Sequence, residues 1–232
     1  ALEQLEGVRP RVHSSGRTDT GVHAAGQCAH VDVTRDWEPR KLRLALNALL
    51  PEDIRILDVR RAASDFHARY DASGKEYRYF IWNGEVMPPH LRRYRTQERK
   101  PLDASAMRAA AQALVGRHDF AAFSANPNRE IEGTVRHLRM LGVRKTGPEI
   151  VIRAQGDGFL YRMVRSLAGY LIRVGRGELG VESATEILRS KQRTARVPTA
   201  PPQGLFLWRV HYDGALVEHA RRARSKSHSE RE

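Results

Sequence analysis

Gly16-Arg17-Thr18-Asp19-Thr20-Gly21-Val22-His23-Ala24 is the stretch of this sequence that says most about its fold and chemistry. Two glycines bracket an aspartate, and an arginine stands two positions before it. Glycine adopts backbone angles that other residues avoid, so such a loop can turn tightly and present one carboxylate. The same pattern, taken alone, is also typical of an ordinary turn whose aspartate accepts a hydrogen bond from a backbone N–H. This stretch by itself does not decide between a loop that presents a carboxylate and an ordinary turn.

The segments on both sides of the loop, 8–14 and 27–33, are predicted to form short strands. Farther along, helical and strand-like patterns alternate. Apolar residues at helical spacing predict helices at 41–50, 102–113, 158–174 and 181–189. Alternating or apolar runs predict further strands at 54–59, 76–82, 135–143, 149–155 and 205–212.

This mixture of elements predicts an α+β fold of two similar halves. Amphipathic strands favour largely antiparallel sheets with helices packed on one face. We expect an N-terminal half at 1–100, which carries Asp19, and a C-terminal half at 101–213. The polar stretch 83–101 is interpreted as a linker between them. Residues 214–232 are small, charged and aperiodic, and are expected to form a disordered basic tail.

The sequence carries a large positive charge, because 40 Lys and Arg against 27 Asp and Glu give +13. Residues 215–232 hold five basic and three acidic residues, so +11 belongs to the rest of the chain. A basic folded protein attracts polyanions, most commonly RNA or DNA. A solvated basic surface without a partner is the alternative interpretation.

Composition also narrows the class of protein. No apolar run approaches the ~20 residues of a membrane span, and no signal peptide is visible at the start. The single cysteine, Cys28, cannot form an internal disulfide. A cytoplasmic protein is therefore expected.

Further short motifs follow the opening loop in order. They are N-A-L-L-P at 47–51 with D-I at 53–54, F-H-A-R-Y at 66–70, K-E-Y-R-Y at 75–79, G-F-L-Y-R-M-V-R at 158–165 and G-L-F-L at 204–207. Together with 16–24, these motifs resemble those of the TruA-type tRNA pseudouridine synthases in identity, order and spacing. The resemblance extends from residue 1 to about residue 213.

The resemblance implies an enzyme that isomerises uridine to pseudouridine in tRNA, at positions 38–40 of the anticodon arm. It implies a homodimer and no cofactor or metal. It also implies roles for four residues. Asp19 is the catalytic carboxylate, Arg165 is the cation that pairs with it, Tyr77 is the ring that stacks on the target base, and Leu205 is an apolar contact to the flipped base. Because the base must leave its stack, Arg17, a basic residue of the loop, is expected to fill the vacated space or hold phosphate.

The chemistry explains why these residue types are needed. The base must be detached at N1, turned, and reattached to the ribose through C5. A carboxylate can act at C1′ or assist loss of a ribose proton, and a cation within about 4–6 Å favours its charged form. Stacking on an aromatic ring holds a base with roughly 1–3 kcal/mol. The base must also leave its helical stack first.

Ordinary structural roles remain as alternatives for single residues. Tyr77 alone is typical of a half-buried strand tyrosine, and Arg165 alone is typical of a solvated helix residue. A metal site can be imagined from the histidines and the aspartate near the first strands, which are His13, His23, His30 and Asp32. Their spacing follows no usual ligand pattern, so ordinary hydrogen-bonding histidines and no metal are expected.

Two rival functions are considered. Asp19-Thr20-Gly21 is also the core triplet of aspartic proteases, but that chemistry needs two carboxylates sharing a proton, so this chain would have to dimerise. A non-catalytic RNA-binding protein of the same fold is the second rival. Compared with the family pattern, Thr20 stands where alanine is usual. The family's early D-G and G-W-Q elements are absent from the sequence, so the N-terminal half is expected to lack its first strand and helix.

Overall fold

A computed structural model describes residues 1–125 and 133–213 of the chain. Its helices are α1 Leu2–Glu6, α2 Pro39–Leu49, α3 Ala104–Gln112, α4 Met163–Gly175 and α5 Ser183–Ser190. Its strands are β1 Val12–Ser14, β2 His23–Ala24, β3 Ala29–Val31, β4 Gly74–Asn83, β5 Thr96–Glu98, β6 Gly116–Asp119, β7 Val135–Thr146, β8 Glu149–Gly156 and β9 Leu205–His211. The tail expected at 214–232 lies outside the described residues.

The described residues divide into two compact units that interleave along the chain. The small unit contains residues 1–16, 28–72 and 212–213, and the large unit contains 17–27 and 73–211. The two halves expected to meet at residue 100 stay a prediction.

The small unit combines a two-stranded sheet with α1 and α2. Strands β1 and β3 pair antiparallel, with His13 opposite His30. Helix α2 buries Leu42 and Leu46 and ends before Pro51, in agreement with the predicted pattern.

The predicted strand at 54–59 is wrong. The side chain of Asn47, on α2, donates to the carbonyl of Ile56 at 2.9 Å and accepts from its N–H at 2.7 Å. These backbone groups are therefore bonded to an amide side chain instead of to a neighbouring strand. The apolar pattern of the segment carries no information about this partner.

The large unit is built on a seven-stranded sheet. Its order is β2-β9-β4-β8-β7-β6, and β5 pairs with β4 beside this path. The pairs β2·β9 and β4·β5 are parallel, and the remaining pairs are antiparallel. The predicted α+β class with a largely antiparallel sheet is confirmed.

The core of the large unit lies between one face of this sheet and helices α3, α4 and α5. In register across the sheet, Ile152 lies opposite both Tyr79 and Val143, and all three are buried. Every residue of α4 except Arg173 is buried as well. A helix that is apolar nearly all round is typical of such a position, and α4 is therefore a rigid support for residues at its N-terminus.

Three details differ from the sequence-based expectations. The stretch 83–101, interpreted as a linker, contains β5, and the Asn83 side chain bonds to three backbone groups around it. Helix α3 is shorter than the predicted helix at 102–113, and it buries Met107 and Ala110. Strand β6, which begins at Gly116 with a φ of 119°, was not predicted.

Candidate active site

The loop that follows Arg17 is held at the start of β9. Strand β2, at the end of the loop, pairs in parallel with Phe206 and Leu207. Within the loop, the N–H of Val22 donates to the carbonyl of Asp19 at 3.0 Å, which closes a turn. Gly21 in this turn has a φ of 81°, and an added Cβ would lie 3.1 Å from the Pro202 ring. Glycine is therefore the residue that this turn requires.

The Asp19 carboxylate faces the first turn of α4. Arg165 Nη1 donates to Asp19 Oδ2 at 2.7 Å, and Arg162 Nε lies 3.4 Å from the same oxygen. The Asp19 side chain is 24% exposed, whereas that of Arg165 is 11% exposed. A partly desolvated, charge-assisted contact of this kind is stronger than a surface ion pair.

Arg165 is fixed from a second direction. Its Nε donates to the carbonyl of Ala200 at 2.8 Å, and the N–H of Ala200 donates to the carbonyl of Arg165 at 3.0 Å. The guanidinium is thus anchored to the segment that precedes β9, and the orientation of Asp19 depends on this anchor.

Tyr77 lies beside the carboxylate on β4. Its half-buried ring meets Phe159 edge to face, with 5.1 Å between ring centroids. Burial and the nearby negative charge of Asp19 raise the pKa of Tyr77 to about 12. The hydroxyl therefore stays protonated at neutral pH, and the ring is a neutral aromatic surface next to a carboxylate.

The other two predicted residues differ in exposure. Leu205 is 6% exposed and lies in the hydrophobic core, opposite Tyr79 in the sheet register. Arg17 is exposed and makes no hydrogen bond or ion pair with any residue in the described part of the chain. The structure thus brings Asp19, Arg165 and Tyr77 together, buries Leu205 in the core, and leaves Arg17 facing solvent.

Most of the chain matches known proteins in sequence. A family model described as tRNA pseudouridine synthase matches residues 2–71 and 110–213. The chain is 42% identical over 208 residues to tRNA pseudouridine synthase A of Oceanobacillus iheyensis, covering 90% of this chain and 82% of that protein. It is 45% identical over 225 residues to the protein of the same name from Solidesulfovibrio magneticus, covering 91% and 79%. The chain belongs to the tRNA pseudouridine synthase family.

Membership of the pseudouridine synthase family makes the chain an isomerase and rejects the aspartic-protease interpretation of Asp19-Thr20-Gly21. No helix in residues 1–125 and 133–213 has the length and apolar character that crossing a bilayer requires.

Sequence reasoning missed Arg162, the second cation beside Asp19. It has a left-handed backbone, with φ of 56°, and its guanidinium lies 4.7 Å from the centre of the Tyr161 ring. Such a backbone is uncommon for a residue other than glycine, and here it comes just before α4. The predicted helix at 158–174 therefore begins five residues too early. Arg162 is part of the motif at 158–165. Its approach to Asp19 follows from the left-handed turn, which the sequence pattern does not reveal.

Three histidines meet in the small unit. His13, His30 and His67 offer ring nitrogens within 4.8 Å of one another, and the His13 and His30 rings are stacked. The Nδ1 atoms of His30 and His67 accept backbone N–H groups, from Ala68 at 3.0 Å and Arg69 at 3.1 Å. In the neutral rings the proton then lies on Nε2, which is unsuited to a metal bond. The expectation that His13 and His30 belong to no metal site stays a prediction, and His67 was not part of that expectation.

Because of the histidine cluster, the protein is expected to lose stability in mild acid. Burial and the charges of Arg11, His30 and His67 lower the pKa of His13 below its ordinary value of 6.5, against the opposing effect of Asp32. The unfolded chain then takes up this proton more readily than the folded one, so stability falls as pH drops below about 6.5. We expect a lower melting temperature at pH 5.5 than at pH 7.5.

Replacing His13 with glutamine should make this fall in melting temperature smaller. His90→Gln is the matched control, because His90 is exposed and lies outside the cluster. If both variants lose as much stability on acidification as the unchanged protein, the cluster does not cause the effect.

Proposed function

We propose that this chain converts uridine to pseudouridine at positions 38–40 in the anticodon arm of tRNA, with Asp19 as its catalytic carboxylate. One observation carries the proposal: in a chain of this family, Asp19 is held by Arg165 at 2.7 Å, with Tyr77 near enough for the Asp19 charge to raise its pKa. A partly buried carboxylate–arginine pair near an aromatic ring is suited to hold a sugar and a base at once.

In the proposed reaction, the bond between C1′ and N1 breaks and a bond between C1′ and C5 forms. The hydrogen on C5 leaves to water, and N1 gains a proton, so no redox step is needed. Asp19 acts at C1′ or assists loss of a ribose proton. Arg165 fixes the direction of the carboxylate through its hydrogen bond of 2.7 Å to Asp19 Oδ2.

Tyr77 is proposed to stack on the base while it turns. The ring already has one edge-to-face neighbour, Phe159, which limits its rotation. Leu205, at the start of β9, is proposed to form the apolar contact to the flipped base, with Tyr79 beside it in the sheet. Arg17 is proposed to occupy the space that the base vacates or to hold phosphate, and its side chain is free to do so.

The assay that tests the function is release of tritium from tRNA labelled at uridine C5. The unchanged protein should release label to water without added nucleotide or metal. Binding of tRNA without any release would instead support the non-catalytic RNA-binding alternative.

We also propose that the protein acts as a homodimer in the cytoplasm. A dimer would let one tRNA lie across two subunits. Sedimentation of the protein with and without tRNA tests the dimer, and a monomer at all concentrations would contradict it.

The positive charge predicts a strong dependence of tRNA binding on salt. Exposed basic residues without an ion-pair partner in the described part of the chain follow β4, namely Arg92, Arg93, Arg99 and Lys100. Each phosphate contact adds about −0.9 to the slope of log K against log salt for duplex RNA or DNA, so three contacts lower K roughly 40-fold between 50 and 200 mM. A titration measures the slope. A flat response would contradict the electrostatic argument for an RNA partner.

A further inference from the structure

Arg193 lies next to the active-site arginines but has no carboxylate partner in the described part of the chain. Its Nη1 donates to Ser166 Oγ at 2.9 Å and its Nη2 donates to Thr199 Oγ1 at 2.7 Å. Both partners are neutral, and Ser166 is fully buried. Ser166 lies one helical turn after Arg162, since its N–H donates to the carbonyl of Arg162 at 3.0 Å, so Arg193 is anchored next to Arg162. In agreement, burial and the charge of Arg162 lower the pKa of Arg193. An arginine nevertheless stays charged at neutral pH.

Positive charge is therefore in excess around Asp19. Arg162 and Arg165 both contact this carboxylate, and it is the only one that forms an ion pair with either of them among the described residues. Adding Arg193 gives three guanidiniums to one carboxylate. One negative charge does not balance three partly desolvated positive charges, and an anion bound beside Arg162 and Arg193 would offset the excess.

We propose that Arg162 and Arg193 bind a phosphodiester of the substrate RNA, namely one of the two phosphates that flank the nucleotide at Asp19. The proposal rests on the function proposed above, since that function places the C1′ of the target nucleotide at the Asp19 carboxylate. A nucleotide in this position carries its own phosphates one sugar away. Arg162 Nε lies 3.4 Å from the Asp19 carboxylate, so its guanidinium is near enough to reach one of these phosphates.

The geometry of both side chains suits a phosphate. A guanidinium presents N–H groups in a planar fork that matches two phosphate oxygens. Arg193 is held by two hydroxyls, and Arg162 is held by the Tyr161 ring and by its left-handed backbone. The Arg162 side chain is 39% exposed, so it is accessible to a ligand. Arg165, by contrast, already donates hydrogen bonds to the Asp19 carboxylate and the Ala200 carbonyl.

A purely structural role is the competing explanation for Arg193, because its two hydrogen bonds join α4 to the segment 193–199. The experiment must therefore detect the phosphate charge itself. The probes are anticodon-arm stem-loop RNAs in which one flanking phosphate, on the 5′ or the 3′ side of the target uridine, is replaced by an uncharged methylphosphonate. The affinity of the protein for each RNA is measured at fixed salt. This binding measurement does not depend on the isomerisation reaction.

For the unchanged protein, one of the two methylphosphonates should weaken binding at least about tenfold, the scale of a lost charge-assisted contact. Arg193→Gln should weaken binding of the ordinary RNA by a similar factor and show little further loss with that methylphosphonate. Arg162→Gln, a change at an exposed residue that is expected to fold, should behave in the same way. Arg193→Lys should restore part of the affinity.

Arg196→Gln is the matched control. Arg196 lies in the same segment, but it is already paired with Glu186 at 2.9 Å. This variant should keep the full sensitivity to methylphosphonate. If Arg193→Gln and Arg162→Gln also keep it at both positions, the phosphate site is wrong and Arg193 is structural. Failure of the proposed function gives a different result, namely no release of tritium by the unchanged protein.

Discussion

Replacing Asp19 with asparagine is expected to reduce tritium release from C5-labelled tRNA to background, a loss of at least about a thousandfold. Losses of this size are typical when a catalytic nucleophile or base is removed. Asparagine keeps the shape of the side chain and can still accept from Arg165 Nη1, now 2.7 Å from Asp19 Oδ2. It lacks the negative charge that is proposed to act at C1′ or on a ribose proton. Tritium release at saturating tRNA measures the effect.

Binding of tRNA by Asp19→Asn should stay within a few-fold of the unchanged protein, because one carboxylate contributes little to a basic surface. Asp157→Asn is the matched control, since Asp157 also pairs with an arginine, Arg139 at 2.6 Å, but lies outside the site. That variant should release tritium normally. Release by Asp19→Asn at the unchanged rate would contradict the proposed mechanism.

Two further variants test how much Arg165 and Tyr77 each contribute to tritium release. Arg165→Met should slow release, because Asp19 then keeps only Arg162 at 3.4 Å and loses its anchor to Ala200. Tyr77→Phe should be milder, because the stacking ring survives without its hydroxyl. Melting temperatures of both variants separate a loss of chemistry from a loss of fold.

The parts of the site that could be predicted from the sequence are those carried by short motifs. Asp19 and Arg165 are 146 residues apart, so no spacing rule joins them. The resemblance to the family supplied their pairing as an expectation, and the ion pair is present in the structure. Arg193 could not be found this way, because its partners Ser166 and Thr199 are set by how the segment before β9 lies on α4.

The same distinction applies to the fold, of which some elements could be predicted from the sequence and others could not. Helix α2 was predicted because its apolar residues recur at helical spacing and Pro51 follows. The segment 54–59 was mistaken for a strand, because a strand is defined by its partner and here the partner is the Asn47 side chain. The start of α4 was misplaced because apolar periodicity does not detect a left-handed residue such as Arg162.

The contact between α4 and the segment that precedes β9 joins the fold to the site. Gly169 lies one turn after Arg165 on α4, and Pro198 and Ala200 cross it closely. A Cβ added to Gly169 would lie 2.1 Å from the carbonyl oxygen of Pro198 and 3.3 Å from the backbone nitrogen of Ala200. Atoms cannot approach so closely, so only glycine allows this segment to carry the Ala200 carbonyl to Arg165.

Gly169→Ala is therefore expected to lower both stability and activity. Alanine favours a helix over glycine by up to about 1 kcal/mol, but moving the backbone of Pro198 away costs more, since overpacking typically costs about 1–3 kcal/mol and sometimes more. The melting temperature should fall by several degrees. Tritium release should fall by roughly a hundredfold, because a displacement of about 1 Å at Ala200 shifts Arg165 and with it Asp19.

Gly142→Ala provides the control for this prediction. Gly142 lies in β7, and no atom lies within 4 Å of the place that its Cβ would occupy. Alanine there should leave activity unchanged and stability equal or slightly higher, since glycine weakens a strand interior by roughly 0.5–1 kcal/mol. If Gly169→Ala is as stable and active as Gly142→Ala, then the segment 198–200 does not lie against α4 as described. Arg165 would in that case need another anchor than Ala200.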